Sequence, residues 1–218
     1  MHAAAAAPDL PREMNHPFSG LDPKKLGMWI FLGSDAMGFT GLLGAYAVLR
    51  LSAMDHWQEV FRDGKAEFID MEASRNLTFV NTFVLICSSV TMVLALKNLR
   101  LGNLARFKGW LAATMLGGMG FLSMQAYEWT HLIRDEHIKA SACNFGATFF
   151  FLTGYHGFHV FGGVCLLAWA LRRAMKGVYS PQNSVGIEVV GLYWHFVDLV
   201  WIILFTVIYL LPGKGGPS

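Results

Sequence analysis

The chain has 218 residues, of which 54% are hydrophobic and 15% are charged, and its formal net charge at pH 7 is +2. Soluble domains carry roughly 25% charged residues, so this composition indicates a protein whose solvent is lipid. The Lys and Arg residues stand in short groups between apolar runs, a distribution that argues against nucleic acid as a partner.

Five apolar stretches follow in chain order, each long enough to cross a hydrocarbon layer of about 30 Å, which takes about 20 helical residues. They cover residues 27–49, 77–96, 109–127, 145–171 and 189–211. Lipid allows only helices or closed barrels to span it, and the sequence lacks the alternating pattern of barrel strands. The sequence therefore predicts an all-α polytopic bundle, with a tail at 1–26, a five-helix transmembrane domain at 27–211 and a tail at 212–218.

The distribution of Lys and Arg predicts the orientation of this bundle. The N-terminal tail and the connectors at 97–108 and 172–188 together hold ten basic and four acidic residues. The connectors and tail on the other side hold seven basic and eight acidic residues. Because basic residues concentrate on the cytoplasmic side, we expect a cytoplasmic N-terminus and, with five helices, a periplasmic C-terminus.

Polar side chains inside the spans are the informative ones. An ionisable group at the bilayer centre costs at least about 2.5 to 3.5 kcal/mol on insertion scales, so each is expected to face the bundle interior and to find a partner. The residues concerned are Asp35, Gln125, Glu128, His156, His159, His195 and Asp198. His156 with His159, and His195 with Asp198, have the i, i+3 spacing that puts both members on one helix face.

These residues leave alternatives open. Glu-x-x-His, His-x-x-His and His-x-x-Asp on three helices are similar to the ligand set of a carboxylate-bridged metal site, which predicts an intramembrane metalloenzyme. The same residues can instead hydrogen-bond across helices and fix the register of the bundle. A transporter built around Asp35 is a third hypothesis, although the inverted repeats and broken helices of many transporters are not found in the sequence. Asp35 itself has two interpretations. It is either a proton-exchanging or lipid-sensing carboxyl, or a neutral acid that is hydrogen-bonded to a neighbouring helix.

Four motifs carry a family resemblance. Residues 193–201 read YWHFVDLVW, 153–160 read TGYHGFHV, 125–128 read QAYE and 34–37 read SDAM. In this order and spacing, over residues 27–211, they resemble subunit III of the haem-copper oxidases, in a five-helix bacterial form. Longer family members have seven helices, so the chain corresponds to the last five, and Asp35 stands where the family carries Glu.

The resemblance implies a non-catalytic subunit of a bacterial cytochrome c oxidase, or alternatively of a quinol oxidase, in the bacterial inner membrane. It implies no catalytic, cofactor or metal residue in this chain, with haem and copper held by subunit I or by subunits I and II. The expected partners are these two subunits and phospholipids, with a larger respiratory supercomplex as an open alternative.

The resemblance also implies roles for particular residues. Asp35 is expected to be an intramembrane carboxyl beside the path of oxygen and lipid toward subunit I, and Arg173 to meet a lipid head group. The expected interhelical polar network comprises Glu128, His156, His159, His195 and Asp198.

Overall fold

The computed structural model describes residues 22–52, 59–62, 65–68, 72–134 and 144–210. It contains five long helices, which confirms the predicted all-α bundle. They are α1 (Pro23–Ser52), α2 (Glu72–Arg100), α3 (Leu104–Arg134), α4 (Asn144–Met175) and α5 (Val185–Phe205), and a π-helical turn, Thr206–Leu210, continues α5. Most helices extend beyond the predicted apolar stretches, because backbone hydrogen bonding continues into the polar residues at each end.

A short β-hairpin lies in the connector between α1 and α2. Its strands are β1 (Glu59–Arg62) and β2 (Lys65–Phe68), paired antiparallel with Glu59 opposite Phe68. The sequence predicts a polar connector between the first two apolar stretches, and the hairpin lies within this connector. Each strand has four residues, far fewer than the roughly nine that cross a bilayer.

The predicted tails fall mostly outside the described residues, at 1–21 and 211–218. The helix α1 begins at Pro23, so the last four residues of the predicted N-terminal tail are helical. Proline is well tolerated in the first turn of a helix, where its missing N–H has no intrahelical acceptor. The orientation of the termini relative to the two sides of the membrane stays a prediction.

Four of the described helices are long and apolar enough to cross a membrane. They are Pro23–Ser52, Arg75–Arg100, Phe145–Met175 and Val185–Leu210. The helix α3 is less apolar, yet it has 31 residues and runs antiparallel along α2. Thr91 on α2 meets Thr114 on α3 at one end of this pair, and Thr78 meets Glu128 at the other. Because its contacts follow α2 over this length, α3 lies at the same depth.

The last helix is the centre of the bundle. In the most apolar 18-residue segment of each helix, 56% of the residues are buried in α5 and 17% in α1. The helix α5 packs on α1, α2 and α4, while α3 packs between α2 and α4. The helix α1 contacts α4 and α5 and leaves most of its own surface exposed. The bundle is therefore a four-helix core with α1 attached to one side.

Trp194 on α5 shows how closely the core helices approach. Its side chain is 1% exposed, and it lies against Gly118 of α3 and Gly163 of α4. A Cβ built on Gly163 would lie 2.9 Å from two ring carbons of Trp194. Small residues allow such contacts between helices in lipid, where van der Waals packing replaces the hydrophobic effect.

Candidate functional site

Five of the seven predicted polar residues lie in three separate interhelical clusters. The Asp35 cluster contains Asp35, Tyr155, His159 and Tyr193; the Glu128 cluster contains Glu128, Thr78 and Tyr209; and the Asp198 cluster contains Ser89, His195 and Asp198. Each cluster joins side chains from at least two helices. The structure thus distributes the predicted set along the bundle instead of gathering it at one point.

The Asp35 cluster joins α1 to α4. His159 Nε2 lies 3.1 Å from Asp35 Oδ1, and the Tyr155 hydroxyl donates to the same oxygen at 3.3 Å. His159 Nδ1 lies 2.8 Å from the carbonyl oxygen of Tyr155, which can act only as an acceptor, so Nδ1 carries a proton. The second oxygen, Asp35 Oδ2, is buried and has no hydrogen-bond partner among the residues that the structure describes.

The Glu128 cluster joins α2, α3 and the end of α5. Glu128 Oε1 accepts hydrogen bonds from the Thr78 and Tyr209 hydroxyls, both at 2.9 Å. Glu128 is 4% exposed, and Tyr209 lies in the π-helical turn that continues α5. π-Helical turns widen a helix locally and are frequent where a side chain has a special placement. Here the turn carries the tyrosine that reaches α3.

The Asp198 cluster joins α5 to α2 through one serine. Ser89 Oγ donates to Asp198 Oδ2 at 2.6 Å and lies 3.3 Å from His195 Nδ1. A serine hydroxyl has a single proton, so His195 Nδ1 is the donor when Ser89 donates to Asp198. Asp198 Oδ1 is buried and has no hydrogen-bond partner in the described ranges.

His156 differs from the other predicted network residues. It is fully buried, and neither ring nitrogen has a hydrogen-bond partner among the described residues. Its ring stacks on Trp201 with centroids 4.8 Å apart and meets the edge of Phe121 at 5.7 Å. Instead of an interhelical hydrogen bond, the structure gives His156 a place in an aromatic stack.

The sequence analysis did not predict that polar residues of α2 hydrogen-bond to other helices. Asn81 donates to the carbonyl oxygen of Phe121, Ser88 accepts from Trp194 Nε1, and Thr82 accepts from Trp201 Nε1. Residues 78, 81, 82, 88 and 89 recur at helical spacing, so a polar stripe along α2 was present in the sequence as a signal. Gln125 of α3, which was predicted, donates to the carbonyl oxygen of Thr153 on α4 at 3.0 Å.

An ion cluster closes one end of the bundle. Glu188 near the start of α5 pairs with Lys25 of α1 and, at 2.7 Å, with Arg100 of α2. The Ser184 hydroxyl donates to the same carboxylate at 2.8 Å. This ion cluster, formed by Lys25, Arg100, Glu188 and Ser184, holds the ends of three helices together.

Arg173 lies near the end of α4, with its guanidinium 4.7 Å above the ring of Trp169. It lines a cavity of about 430 Å³ together with Lys24, Tyr179 and Asn183. Burial raises the pKa of the Tyr179 phenol above its ordinary value, and the charge of Arg173 opposes this rise. Within the described ranges, no acidic side chain pairs with Arg173.

The arrangement joins helices but does not assemble a metal centre in the part of the chain that the structure describes. No group of three His, Cys, Asp or Glu side chains there converges on one point. The carboxylates of the Glu128 and Asp198 clusters accept hydrogen bonds from hydroxyl groups, while Asp35 also meets an imidazole. Chemically, such groups can exchange protons and hold helices in register.

Comparison with known proteins decides the family. The family model described as cytochrome c oxidase subunit III matches residues 12–212. This chain belongs to that family. The cytochrome c oxidase subunit 3 of Alkalihalophilus pseudofirmus is 34% identical over 193 residues, which cover 88% of each chain.

Relatives of a second kind are equally similar. The quinol oxidase subunit 3 of Bacillus subtilis is 35% identical over 191 residues, which cover 88% of each chain. The cytochrome bo(3) ubiquinol oxidase subunit 3 of Pseudomonas putida is 35% identical over 188 residues, 85% of this chain and 84% of that one. The chain is therefore subunit III of a respiratory oxidase, an integral membrane protein that associates with other oxidase subunits. Sequence identity alone does not separate the two oxidase types.

Proposed function

We propose that this chain is the non-catalytic third subunit of a bacterial cytochrome c oxidase in the inner membrane, with its N-terminus in the cytoplasm. Oxygen reduction to water and proton pumping belong to subunit I, which this chain stabilises and supplies with a contact surface. The observation that supports the proposal most strongly is the family match over 12–212. The use of the intramembrane polar groups as links between helices agrees with it.

The histidines support a chain without a redox centre of its own. A haem or copper site needs several ligand side chains around one point. His156 is enclosed by aromatic rings, His159 has contacts at both ring nitrogens, and His195 Nδ1 is engaged by Ser89. We therefore assign haem and copper to subunit I, or to subunits I and II.

The surroundings of Arg173 support a lipid head-group site. The guanidinium has the aromatic face of Trp169 on one side and a basic neighbour, Lys24, in the lining of the same cavity. Arginine at a helix end binds an anionic phosphate while its stem lies along apolar side chains. Arg173→Gln should lower the amount of anionic phospholipid retained by the purified complex, whereas Arg172→Gln, next to it on the same helix, is the matched control.

Subunit III of a quinol oxidase is the second candidate function, because relatives with that name are 35% identical over similar lengths. The two candidate functions differ in the electron donor of the complex, and in both this chain is the non-catalytic third subunit. Membership of a larger respiratory supercomplex would add partners without changing either.

Purification of the complex through a tag on this chain tests the proposal. We expect subunits I and II to co-purify, the haem to stay with them when this chain is removed, and the complex to oxidise reduced cytochrome c. Oxidation of a quinol instead would select the second candidate. Iron, copper or zinc bound stoichiometrically to this chain alone would overturn the proposal and favour an intramembrane metalloenzyme.

A further inference from the structure

A cavity lies between α1, α2 and α5, and the ion cluster is at one end of it. Its volume is about 290 Å³, and its lining includes Lys25, Arg100 and Glu188 at one end and His195 further along α5. His195 follows Glu188 by seven residues, which is about 10 Å along a helix axis. Gly191 lies between them and lines the same cavity. The absence of a side chain at Gly191 keeps this passage open beside Met92, whose Cε would lie 3.3 Å from an added Cβ.

His195 presents a free ring nitrogen at this cavity. Its Nδ1 lies beside Ser89. Its Nε2 has no hydrogen-bond partner in the described structure and is not fully enclosed by protein atoms. With the proton on Nδ1, neutral Nε2 is an acceptor. A proton that enters the cavity therefore meets a lone pair at His195 before it meets any carboxylate deeper in the bundle.

Ser89 is placed differently from its neighbours on α2. Ser88, Thr91 and Thr82 all donate to carbonyl oxygens of their own helix, as hydroxyl side chains commonly do in membrane helices. Ser89 instead directs its hydroxyl across to α5, where it contacts His195 and Asp198 together. One hydroxyl thus stands between a nitrogen base and a carboxylate.

We propose that His195, Ser89 and Asp198 form a proton-transfer site, which takes protons from the cavity and holds them on Asp198. The proposal concerns residues of this chain and does not depend on the electron donor of the oxidase. The charged and titratable groups that face the cavity are Lys25 from α1, Arg100 from α2, and Glu188 and His195 from α5; the described lining has none from α3 or α4.

The transfer balances without any other reactant. A proton binds His195 Nε2, the proton on Nδ1 passes to Ser89 Oγ, and the original hydroxyl proton of Ser89 passes to Asp198 Oδ2. The imidazole has then exchanged one neutral tautomer for the other, Ser89 is again a neutral hydroxyl, and the Asp198 carboxylate has become a carboxylic acid. The reverse sequence returns the proton to the cavity.

Infrared spectroscopy of the intact oxidase complex in lipid vesicles, after a rapid change of pH, tests the proposal. Asp198→Asn identifies the carbonyl band of the protonated Asp198 side chain by its loss. In the unmodified complex we expect this band to appear after acidification, as Asp198 gains its proton. Ser89→Ala should slow its appearance by roughly ten-fold or more, a change of about 1.4 kcal/mol in the barrier.

Three further variants keep the result interpretable. Ser89→Thr retains the hydroxyl and should restore the rate, and Ser88→Ala removes the adjacent hydroxyl of the same helix and should leave the rate unchanged. His195→Phe removes the base that receives the proton first, so it should also slow the appearance of the band. This variant tests the proposal if Ser89→Ala fails to assemble. Equal rates in Ser89→Ala and the unmodified complex, or no Asp198 band after acidification, would overturn the proposal. Haem content and cytochrome c oxidation, measured on the same samples, report separately on the proposed function.

Discussion

His159 Nε2 lies 3.1 Å from Asp35 Oδ1, and this contact ties the most exposed helix of the bundle to α4. The two side chains, of His159 and Asp35, are 10% and 6% exposed, so lipid and water have little access to either. Together with the Lys25–Glu188 pair of the ion cluster, this contact ties α1 to the rest of the bundle.

The link between Asp35 and His159 can be measured by a double-mutant cycle. Interhelical hydrogen bonds in membranes are worth about 0.6 kcal/mol on average and up to about 1.7. We expect Asp35→Ala and His159→Ala each to lower the free energy of unfolding, and the double variant to lose less than their sum by about this amount. Asp35→Asn, which keeps an acceptor for Tyr155, should lose less than Asp35→Ala. Strictly additive losses would show that the two side chains do not interact.

At Glu128, an isosteric substitution should leave the stability of the bundle nearly unchanged, whereas truncation of the side chain should lower it. Glu128→Gln keeps the oxygen that accepts from Thr78 and Tyr209, so we expect a small change in thermal stability. Glu128→Ala leaves both hydroxyls without this acceptor and should cost about 1 to 3 kcal/mol. Tyr209→Phe in the Glu128→Ala background should then cost less than Tyr209→Phe alone. The same cost in both backgrounds would contradict the contact.

Two glycines of α3 provide a matched test of packing. A Cβ on Gly118 would clash with the ring of Trp194 and lie 2.8 Å from Val164 Cγ2, whereas a Cβ on Gly120 would have no atom within 4 Å. Trp194 cannot easily withdraw, because its Nε1 donates to Ser88 at 3.0 Å. We expect Gly118→Ala to destabilise the bundle by about 1 to 3 kcal/mol. Gly120→Ala should be neutral or slightly stabilising, since alanine favours helix.

The ion cluster predicts a dependence on salt. Glu188→Gln removes the carboxylate that Lys25 and Arg100 share, and we expect a loss of about 1 kcal/mol at low ionic strength. The loss should shrink as salt is added, because Arg100 is largely exposed and its interaction is screened. Thermal unfolding of both proteins over a range of salt concentrations measures the difference. A loss that is independent of salt would point to packing instead of charge.

Tyr179 predicts a loss of stability at alkaline pH. It lies in the connector between α4 and α5, and its hydroxyl is buried without a hydrogen-bond partner in the part of the chain that the structure describes. Burial raises the pKa of the phenol, so the folded chain holds this proton more tightly than the unfolded chain does. The resulting stability is present below the ordinary pKa of about 10 and is lost as pH rises through the higher folded value.

Tyr179→Phe removes this titration together with an unpartnered buried hydroxyl. We expect equal or greater stability near pH 7, and a smaller alkaline loss than in the unmodified protein. Thermal unfolding at a series of pH values measures both effects. An alkaline loss of the same size in the two proteins would assign it to another group.

The five helices could be predicted because lipid makes apolar length an almost sufficient signal. The same signal could not predict where each helix ends, since α3 continues to Arg134 through polar residues such as Glu128 and His131. It also gave no sign of the π-helical turn, which depends on packing at the end of α5. Spacing placed His195 and Asp198 on one face, and the structure joins both to Ser89.

Partners on other helices were harder to predict than the residues themselves. Asp35 was singled out from its cost in lipid, but its pairing with His159 depends on how α1 lies against α4. A hydroxyl group costs less free energy in lipid than a carboxylate does, so this criterion did not single out Ser89 or Thr78 as site residues. His156 was expected to need a hydrogen bond, whereas the rings of Trp201 and Phe121 enclose it instead.

The central position of α5 has a consequence for biosynthesis. A ribosome makes α5 after α1 to α4, so α2 is synthesised before Trp194, Trp201 and Asp198 exist to meet Thr82, Ser88 and Ser89. The two tryptophan hydrogen bonds can therefore form only after α5 has been made. A chain truncated before α5 lacks the helix on which α1, α2 and α4 pack, and we expect such a chain not to assemble a stable bundle.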